Sequence, residues 1–214
     1  MQAIRVNVDR TALLDPSHAA WGDAPAQAMQ LVKAPLAMQP SPWMQGAFEG
    51  LAWGALTRAE LRLVHNGEAL AARASWAVPE RAERSLGANE FPDACAVMFP
   101  FVRDASIFMG AEDAWVNMWL WRADGHGPFA VTAAGIGTSQ RVDDGVLEAA
   151  GAYRDGAWQV VWTRALDPGN GRDHVPLRPG TRWQVSLALW HGARAERAGI
   201  KSFSPTWTEL EIAG

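Results

Sequence analysis

The chain has 214 residues and a formal net charge of −4, with 19 Lys and Arg residues against 23 Asp and Glu. Since there is no excess of positive charge, a partner with a phosphate backbone is not expected, and nucleic acid is excluded as a likely class of ligand. The single cysteine, Cys95, excludes an intramolecular disulfide, a thiolate-held iron–sulfur cluster and a CxxCH attachment motif.

The chain also lacks signals for a membrane. No apolar run reaches the roughly 18 residues that a transmembrane helix needs. Met1 to Arg10 alternate polar and apolar residues and lack the basic-then-apolar profile of a secretory signal. The sequence predicts no membrane span, and export would require a leader already removed or one carried by a partner.

The first strong structural pattern is a hairpin. The apolar stretch Leu61–His65 is followed by Asn66-Gly67 and then by a second stretch, Ala69–Trp76. Asn-Gly between two such runs predicts a strand, a type I′ turn and a return strand.

Further short runs with turn residues between them predict more strands, and no long segment repeats apolar residues at helical spacing. Asp155-Gly156 predicts a second hairpin. Pro35–Phe48 and Pro79–Pro92, which includes Gly87-Ala88-Asn89, are less regular and are predicted to be surface loops. The sequence therefore predicts an all-β fold, a single-domain β-sandwich over residues 1–214 with irregular loops and a few short helices. The remaining predicted strands are Ala96–Pro100, Trp115–Trp121, Trp158–Arg164, Val185–Trp190 and Trp207–Ile212.

Twelve tryptophans are an unusual number for this length. Trp119 and Trp121 are two positions apart, which places them on one strand face, and Trp158 and Trp162 lie in a second strand-like run. The favoured interpretation is that they are large core side chains. A cofactor wall or a platform for sugar rings is the alternative.

Conventional catalytic motifs are absent from the sequence. The acid pairs Glu112-Asp113 and Asp143-Asp144 are more typical of solvated loops than of a catalytic site. The histidines never occur at short metal-ligand spacing, and they are His18, His65, His126, His174 and His191. These residues give little support for a conventional catalytic site.

Two motif-rich segments carry a resemblance to a known family. The first contains Phe99-Pro100, Phe108-Met109-Gly110 and Val116–Asp124, and the second contains Trp190-His191-Gly192 and then Glu196–Ser204. They resemble the FP…FMG…VNxWxW(K/R)AD and W(D/H)G…(E/R)R.G.KS.S signatures of the haem b-binding γ subunits of ethylbenzene, dimethylsulfide, selenate and chlorate oxidoreductases. The WxVxxxRxL stretch from Trp158 and the VPLxPG stretch from Val175 are similar too. The resemblance is close over roughly residues 90 to 212 and loose before that.

This resemblance implies one non-covalent haem b between loops at one end of the sandwich, with Met109 and Lys201 as its axial ligands. A thioether is a soft donor that raises the haem potential, and a lysine can bind iron only as the neutral amine. Lys201 and Lys33 are the only lysines of the chain, and an arginine could not replace the amine. Met98 and Met118 are alternative sulfur ligands, and His191 is the rival of Lys201.

The resemblance also implies that Trp119, Trp121 and Trp190 lie near the haem pocket, where apolar walls exclude water. In such complexes a molybdopterin catalytic subunit and an iron–sulfur subunit complete a periplasmic heterotrimer, and a soluble carrier such as a cytochrome c exchanges electrons with the haem. The alternative is a carbohydrate-binding-type β-sandwich without haem, whose exposed tryptophans stack on sugars. A third possibility is an assembly subunit that has lost its haem.

Overall fold

The computed structural model describes residues 1–83, 90–142, 145–169 and 173–214, and strands dominate these ranges. The helices are short, and no helix among the described residues has the length and apolarity to cross a membrane. The strands are β1 (Gln2–Arg5), β2 (Gln27–Gln30), β3 (Val32–Lys33), β4 (Arg58–His65), β5 (Ala69–Ala77), β6 (Ala94–Pro100), β7 (Val116–Arg122), β8 (Phe129–Ala133), β9 (Gln140–Val142), β10 (Glu148–Arg154), β11 (Ala157–Ala165), β12 (Arg182–Trp190), β13 (Ser202–Phe203) and β14 (Thr208–Ile212). The helices are α1 (Arg10–Leu13), α2 (Ala20–Asp23) and α3 (Pro42–Phe48), with 3₁₀ turns at Leu36–Met38 and Gly192–Arg194.

The strands follow one another in the order β10-β11-β5-β4-β1-β14-β12-β6-β7-β8-β9. Strand β12 joins the two halves of this order. Its first residues, Arg182–Val185, pair with β14, and its last residues, Ser186–Trp190, pair with β6. We call β10-β11-β5-β4-β1-β14 the large layer, and β6-β7-β8-β9 with the end of β12 the small layer.

The two layers pack face to face around one main core. Trp121 of β7 lies 4.9 Å from Trp158 of β11, measured between ring centroids, and both belong to the same buried cluster as Trp76 of β5. The predicted β-sandwich is therefore confirmed. The interpretation of Trp119, Trp121, Trp158 and Trp162 as core side chains is also confirmed, since all four are buried.

The turns show why some predictions were right and one was wrong. Asp155 and Gly156 both have positive φ, +51° and +78°, as a type I′ hairpin requires. Gly67 has a φ of +96° but Asn66 does not have positive φ, so the first hairpin does not close with the predicted type I′ turn at Asn66-Gly67. Instead the Asn66 side-chain oxygen accepts hydrogen bonds from the backbone N–H groups of Glu68 and Ala69.

The segment Pro35–Phe48 is not the continuous loop that was predicted, because it contains a 3₁₀ turn and α3. Ser41 caps α3 by accepting a hydrogen bond from the Met44 N–H, and Pro42 occupies the first helical position, where its missing N–H costs nothing. Of Pro79–Pro92, residues 84–89, with Gly87-Ala88-Asn89, lie outside the described residues, and the rest has no regular structure.

Gly151 of β10 lies against the Trp121 side chain of β7. A Cβ atom built at this position would lie 2.3 Å from Cζ2 of Trp121. Gly151→Ala is therefore expected to lower the free energy of unfolding by about 1–3 kcal/mol through overpacking. Urea denaturation followed by tryptophan fluorescence measures this. The matched control is Gly46→Ala in α3, which has open space around its Cβ position and should gain up to about 1 kcal/mol. Equal stability of the two variants would contradict the packing described.

Candidate functional site

A cavity of about 400 Å³ lies against the outer face of the small layer. Successive side chains of a strand point to opposite faces of its sheet. On β6 and β7 one face places Val97, Phe99 and Trp119 in the core, and the other face forms the floor of the cavity. The floor consists of the outward side chains Ala96, Met98, Met118, Leu120, Val131, Ser186, Ala188 and Trp190.

Loops cover this floor from the other side. They are the Pro35–Met44 segment, Ile107–Met109, Ile136–Ser139 and Ala198–Phe203. The cavity thus lies between these segments and the outer face of the small layer. Most of the lining is apolar, and among the described lining residues Lys201 is the only charged one.

Met109 reaches the cavity from a constrained turn. Its backbone has a φ of +73°, a left-handed conformation that is uncommon for a residue with a side chain. Gly110 follows with a φ of +80°, and a Cβ there would lie 2.6 Å from the Ala114 carbonyl oxygen. The Met109 carbonyl accepts a hydrogen bond from the Gly135 N–H, which fixes the turn to the end of β8. Strained backbone of this kind is found often at functional sites.

Lys201 lines the same cavity from the segment that precedes β13. Its neighbours Ile200 and Ser202 are fully buried, and its carbonyl accepts a hydrogen bond from the Ala34 N–H. The Nζ atom lies 5.0 Å from the centroid of the Trp190 ring. Among the described lining residues there is no carboxylate to pair with it, and burial lowers the pKa of Lys201 to about 8. The neutral amine is therefore accessible near neutral pH.

The fold brings Met109 and Lys201 together although 92 positions separate them in the sequence. The Lys201 Nζ lies 3.9 Å from the Met109 Sδ. Bonds from a transition metal to nitrogen and sulfur donors are about 2.0–2.3 Å long, so the two atoms are close enough to bind one metal ion together. A thioether is a known donor to haem iron, and a neutral amine would add a nitrogen donor.

The alternative ligands lie in different places. Met98 and Met118 line the floor of the cavity, so both remain candidates for a sulfur ligand. His191 is buried outside the cavity lining, where its Nε2 lies 3.3 Å from the Glu80 carbonyl oxygen. The structure does not bring His191 to the site.

Of the three tryptophans expected near the pocket, only Trp190 lines it. Trp119 and Trp121 are corrected, because they lie on the core face of β7 and point away from the cavity. Trp119 packs 4.9 Å from the Phe99 ring, with the Arg164 guanidinium 5.1 Å above it. The two tryptophans share a strand face, as predicted, but that face is the one between the layers.

Sequence reasoning missed the apolar side chains that roof the cavity. Met38 and Met44 come from the segment predicted to be a surface loop, and Phe108 packs 5.6 Å from Phe203 above the site. The Ser41-Pro42 start of a helix, in a stretch rich in methionine, was the available signal.

The acid pair Glu112-Asp113 does not line the cavity. Glu112 and Asp113 are exposed, as predicted, and Asp143-Asp144 lie outside the described residues. Among the described residues no group of three or more His, Cys, Asp or Glu side chains could hold a metal ion.

Comparison with solved structures shows the fold. A family 9 carbohydrate-binding module from Caldicellulosiruptor kristjanssonii, in complex with glucose, aligns with a TM-score of 0.57 and 11% identity, covering 100% of this chain and 96% of that one. A protein from Bacteroides uniformis, described as carbohydrate-binding, aligns with a TM-score of 0.55 and 9% identity, over 99% and 98% of the two chains. At these identities the likeness concerns the fold alone.

Sequence relatives come from a different functional class. A protein of Haloferax mediterranei, named as a respiratory nitrate reductase haem subunit, is 32% identical over 194 residues, which are 88% of this chain and 65% of the relative. The dimethylsulfide dehydrogenase γ subunit of Rhodovulum sulfidophilum is 29% identical over 201 residues, with 90% and 73% covered. The chlorate reductase γ subunit of Ideonella dechloratans is 27% identical over 199 residues, with 92% and 79% covered.

A family model described as ethylbenzene dehydrogenase matches residues 132–202, the stretch that contains both Trp190 and Lys201. The resemblance that the motifs carry is confirmed by these matches. The chain is similar to proteins named as haem and γ subunits of oxidoreductases, and its residues 132–202 match the family model described as ethylbenzene dehydrogenase.

Proposed function

We propose that this chain is a haem b electron-transfer subunit of a multi-subunit, molybdenum-dependent oxidoreductase and makes no bonds in a substrate itself. The observation that carries the proposal is the 3.9 Å approach of the Met109 thioether to the Lys201 amine inside an apolar cavity. Relatives named as haem and γ subunits of such oxidoreductases support it.

Met109 and Lys201 would be the residues that hold the haem iron. The bound haem supplies reversible one-electron exchange. As a soft, neutral donor, the Met109 thioether favours the ferrous state and raises the reduction potential. Lys201 must lose its proton to bind, and burial has already lowered the cost of that loss. The apolar floor and roof keep water away from the metal and so help to set the potential.

The proposed partners follow from the relatives. An iron–sulfur β subunit and a molybdopterin α subunit would form the heterotrimer, and a soluble carrier such as a cytochrome c would exchange electrons with the haem, in the periplasm. Apolar side chains at and beside the cavity mouth suit a protein partner, since Trp43 is 67% exposed and Met38 and Ile136 are also exposed. Residues 1–214 would act as one haem-binding domain.

The carbohydrate-binding alternative shares the fold but fits the cavity less well. Sugar hydroxyl groups need hydrogen-bond partners when they leave water, and an unpaired one costs free energy. The lining offers few polar groups, and the amide nitrogen of one of them, Gln39, already donates to the Gly199 carbonyl oxygen. The third possibility, a subunit that has lost its haem, leaves the paired Met109 and Lys201 without a role.

Electron exchange tests the proposal. Protein produced with a haem supply is reduced with dithionite, freed of excess reductant and mixed anaerobically with oxidised cytochrome c. One electron per chain should pass to the acceptor, read from the absorbance of both proteins. A folded protein that stays colourless and binds glucose or cellotriose in calorimetry would replace this function by sugar binding.

A further inference from the structure

A second, smaller pocket of about 200 Å³ opens beside the cavity. Leu120, Trp190 and Ala198 line both spaces, so the two are neighbours that share one wall. A substituent of a ligand in the cavity would have to reach past these three residues to enter this side pocket.

The side pocket differs from the cavity in its charge. Two arginines line it, Arg122 at the end of β7 and Arg197. Arg122 pairs with Asp124, at 2.5 Å between Nη2 and Oδ2, yet its Nε is buried without a hydrogen-bond partner. The ion pair with Asp124 thus occupies one terminal nitrogen of Arg122.

Arg197 is the less satisfied of the two. Its guanidinium carbon lies 4.4 Å from the ring centroid of Phe91, 5.1 Å from that of Phe48 and 5.5 Å from that of Trp43. One nitrogen, Nη1, donates to the Ala195 carbonyl. Within the described part of the chain, Arg197 takes part in no ion pair with a carboxylate. The aromatic rings hold the planar guanidinium of Arg197 in place. Its remaining N–H groups can donate two parallel hydrogen bonds to one carboxylate.

One acidic residue, Glu196, also lines the side pocket, but its carboxylate is already used. One oxygen accepts from the Gly54 N–H at 2.7 Å and the other from the His191 N–H at 3.0 Å. Burial raises the pKa of Glu196. Both oxygens of Glu196 are thus used by backbone N–H groups, and Glu196 forms no ion pair with Arg197.

We propose that the side pocket is a carboxylate-binding site in which Arg197, with Arg122 beside it, holds a propionate of the haem. This assignment rests on the proposed function, because it takes the haem as the ligand of the adjoining cavity. A tetrapyrrole has two carboxylates on one edge of an otherwise apolar ring, which matches an apolar cavity with a cationic pocket at its side.

The test compares two ligands on the haem-free protein: haem b and haem b dimethyl ester, whose propionates are esterified and uncharged. The wild-type protein should bind haem b at least about tenfold more tightly than the ester, as expected for charge-assisted hydrogen bonds. Arg197→Gln should lose about tenfold in affinity for haem b and nothing for the ester, with the same axial-ligand spectrum. Arg122→Gln should show a smaller loss of the same kind.

Arg194→Gln is the matched control, since Arg194 is exposed three positions away, and it should keep the full preference for haem b. If Arg197→Gln does not fold, Arg197→Lys takes its place. It should lose part of the preference for haem b over the ester, because lysine keeps the positive charge but lacks the paired N–H donors of a guanidinium. An Arg197 variant that keeps the wild-type preference, or weakens both ligands equally, overturns the proposal. A wild-type protein that binds neither ligand would instead overturn the proposed function.

Discussion

Lys201→Ala is expected to remove the low-spin haem spectrum and to weaken haem binding by about a hundredfold or more. Changes around metal ligands already cost about 10–100-fold in metal affinity, and this change removes a ligand itself. The haem-free fold should be little affected, since burial disfavours the charged form of this amine and the lowered pKa of about 8 reflects that cost. Haem titration of the haem-free protein measures the affinity, and absorption spectra report the spin state.

Two further variants show whether the amine acts as a ligand. Lys33→Ala changes the only other lysine, which is exposed and lies 5.1 Å from the Trp53 ring, and should leave the haem spectrum unchanged. Lys201→Arg keeps a positive charge but cannot supply a neutral nitrogen, so it should behave like Lys201→Ala. If Lys201→Ala retained the wild-type spectrum and affinity, Lys201 would not be an axial ligand.

Met109→Leu is expected to lower the reduction potential of the haem by an amount on the order of 0.1 V, within the range of about 0.8 V that axial ligands span. Leucine is similar in volume but has no sulfur, so the iron loses the donor that favours its ferrous state. Both residues are unbranched at Cβ, and the left-handed backbone at position 109, with φ of +73°, should tolerate either. Spectroelectrochemical titration measures the potential.

Met98→Leu and Met118→Leu are the matched controls, because both methionines line the cavity floor. Each should shift the potential far less than Met109→Leu does, and each should keep the low-spin spectrum. A large shift in either one, with an unchanged potential for Met109→Leu, would transfer the sulfur ligand to that position.

The strands were predictable where a run of strand-forming residues lies between clear turn signals. β4, β5, β7 and β11 all meet that condition, and the register of β10 with β11 follows from Asp155-Gly156. Strands of two to four residues, such as β2 and β13, bury too few side chains to leave a period in the sequence. The helix α3 has 7 residues, about two turns, and only its Ser41-Pro42 start marks it in the sequence.

The face of a strand was not predictable where both faces are apolar. β7 alternates Met118 and Leu120 with Trp119 and Trp121, so spacing shows which residues share a face but not which face meets the other layer. The size of the side chains decides which face meets the other layer. The tryptophans fill the space between the two layers, and the smaller residues of the other face form the floor of the cavity. That is why two of the three expected pocket tryptophans are in the core.

The pairing of Met109 with Lys201 came from the family resemblance and not from the spacing of residues. The two positions are 92 residues apart, on a turn after β6 and on a segment before β13, and no local pattern links them. The sequence also did not predict that Arg122 and Arg197 line one pocket. Their proximity depends on how the end of β7 lies beside the segment after β12.

The absorption spectrum of the purified protein, oxidised and dithionite-reduced, with pyridine extraction to identify the haem, tests the central claim most directly. Haem-supplied protein should show a low-spin b-type spectrum with about one haem per chain, as expected for two axial ligands on one iron. A well-folded, haem-supplied preparation that contains no haem would contradict the claim.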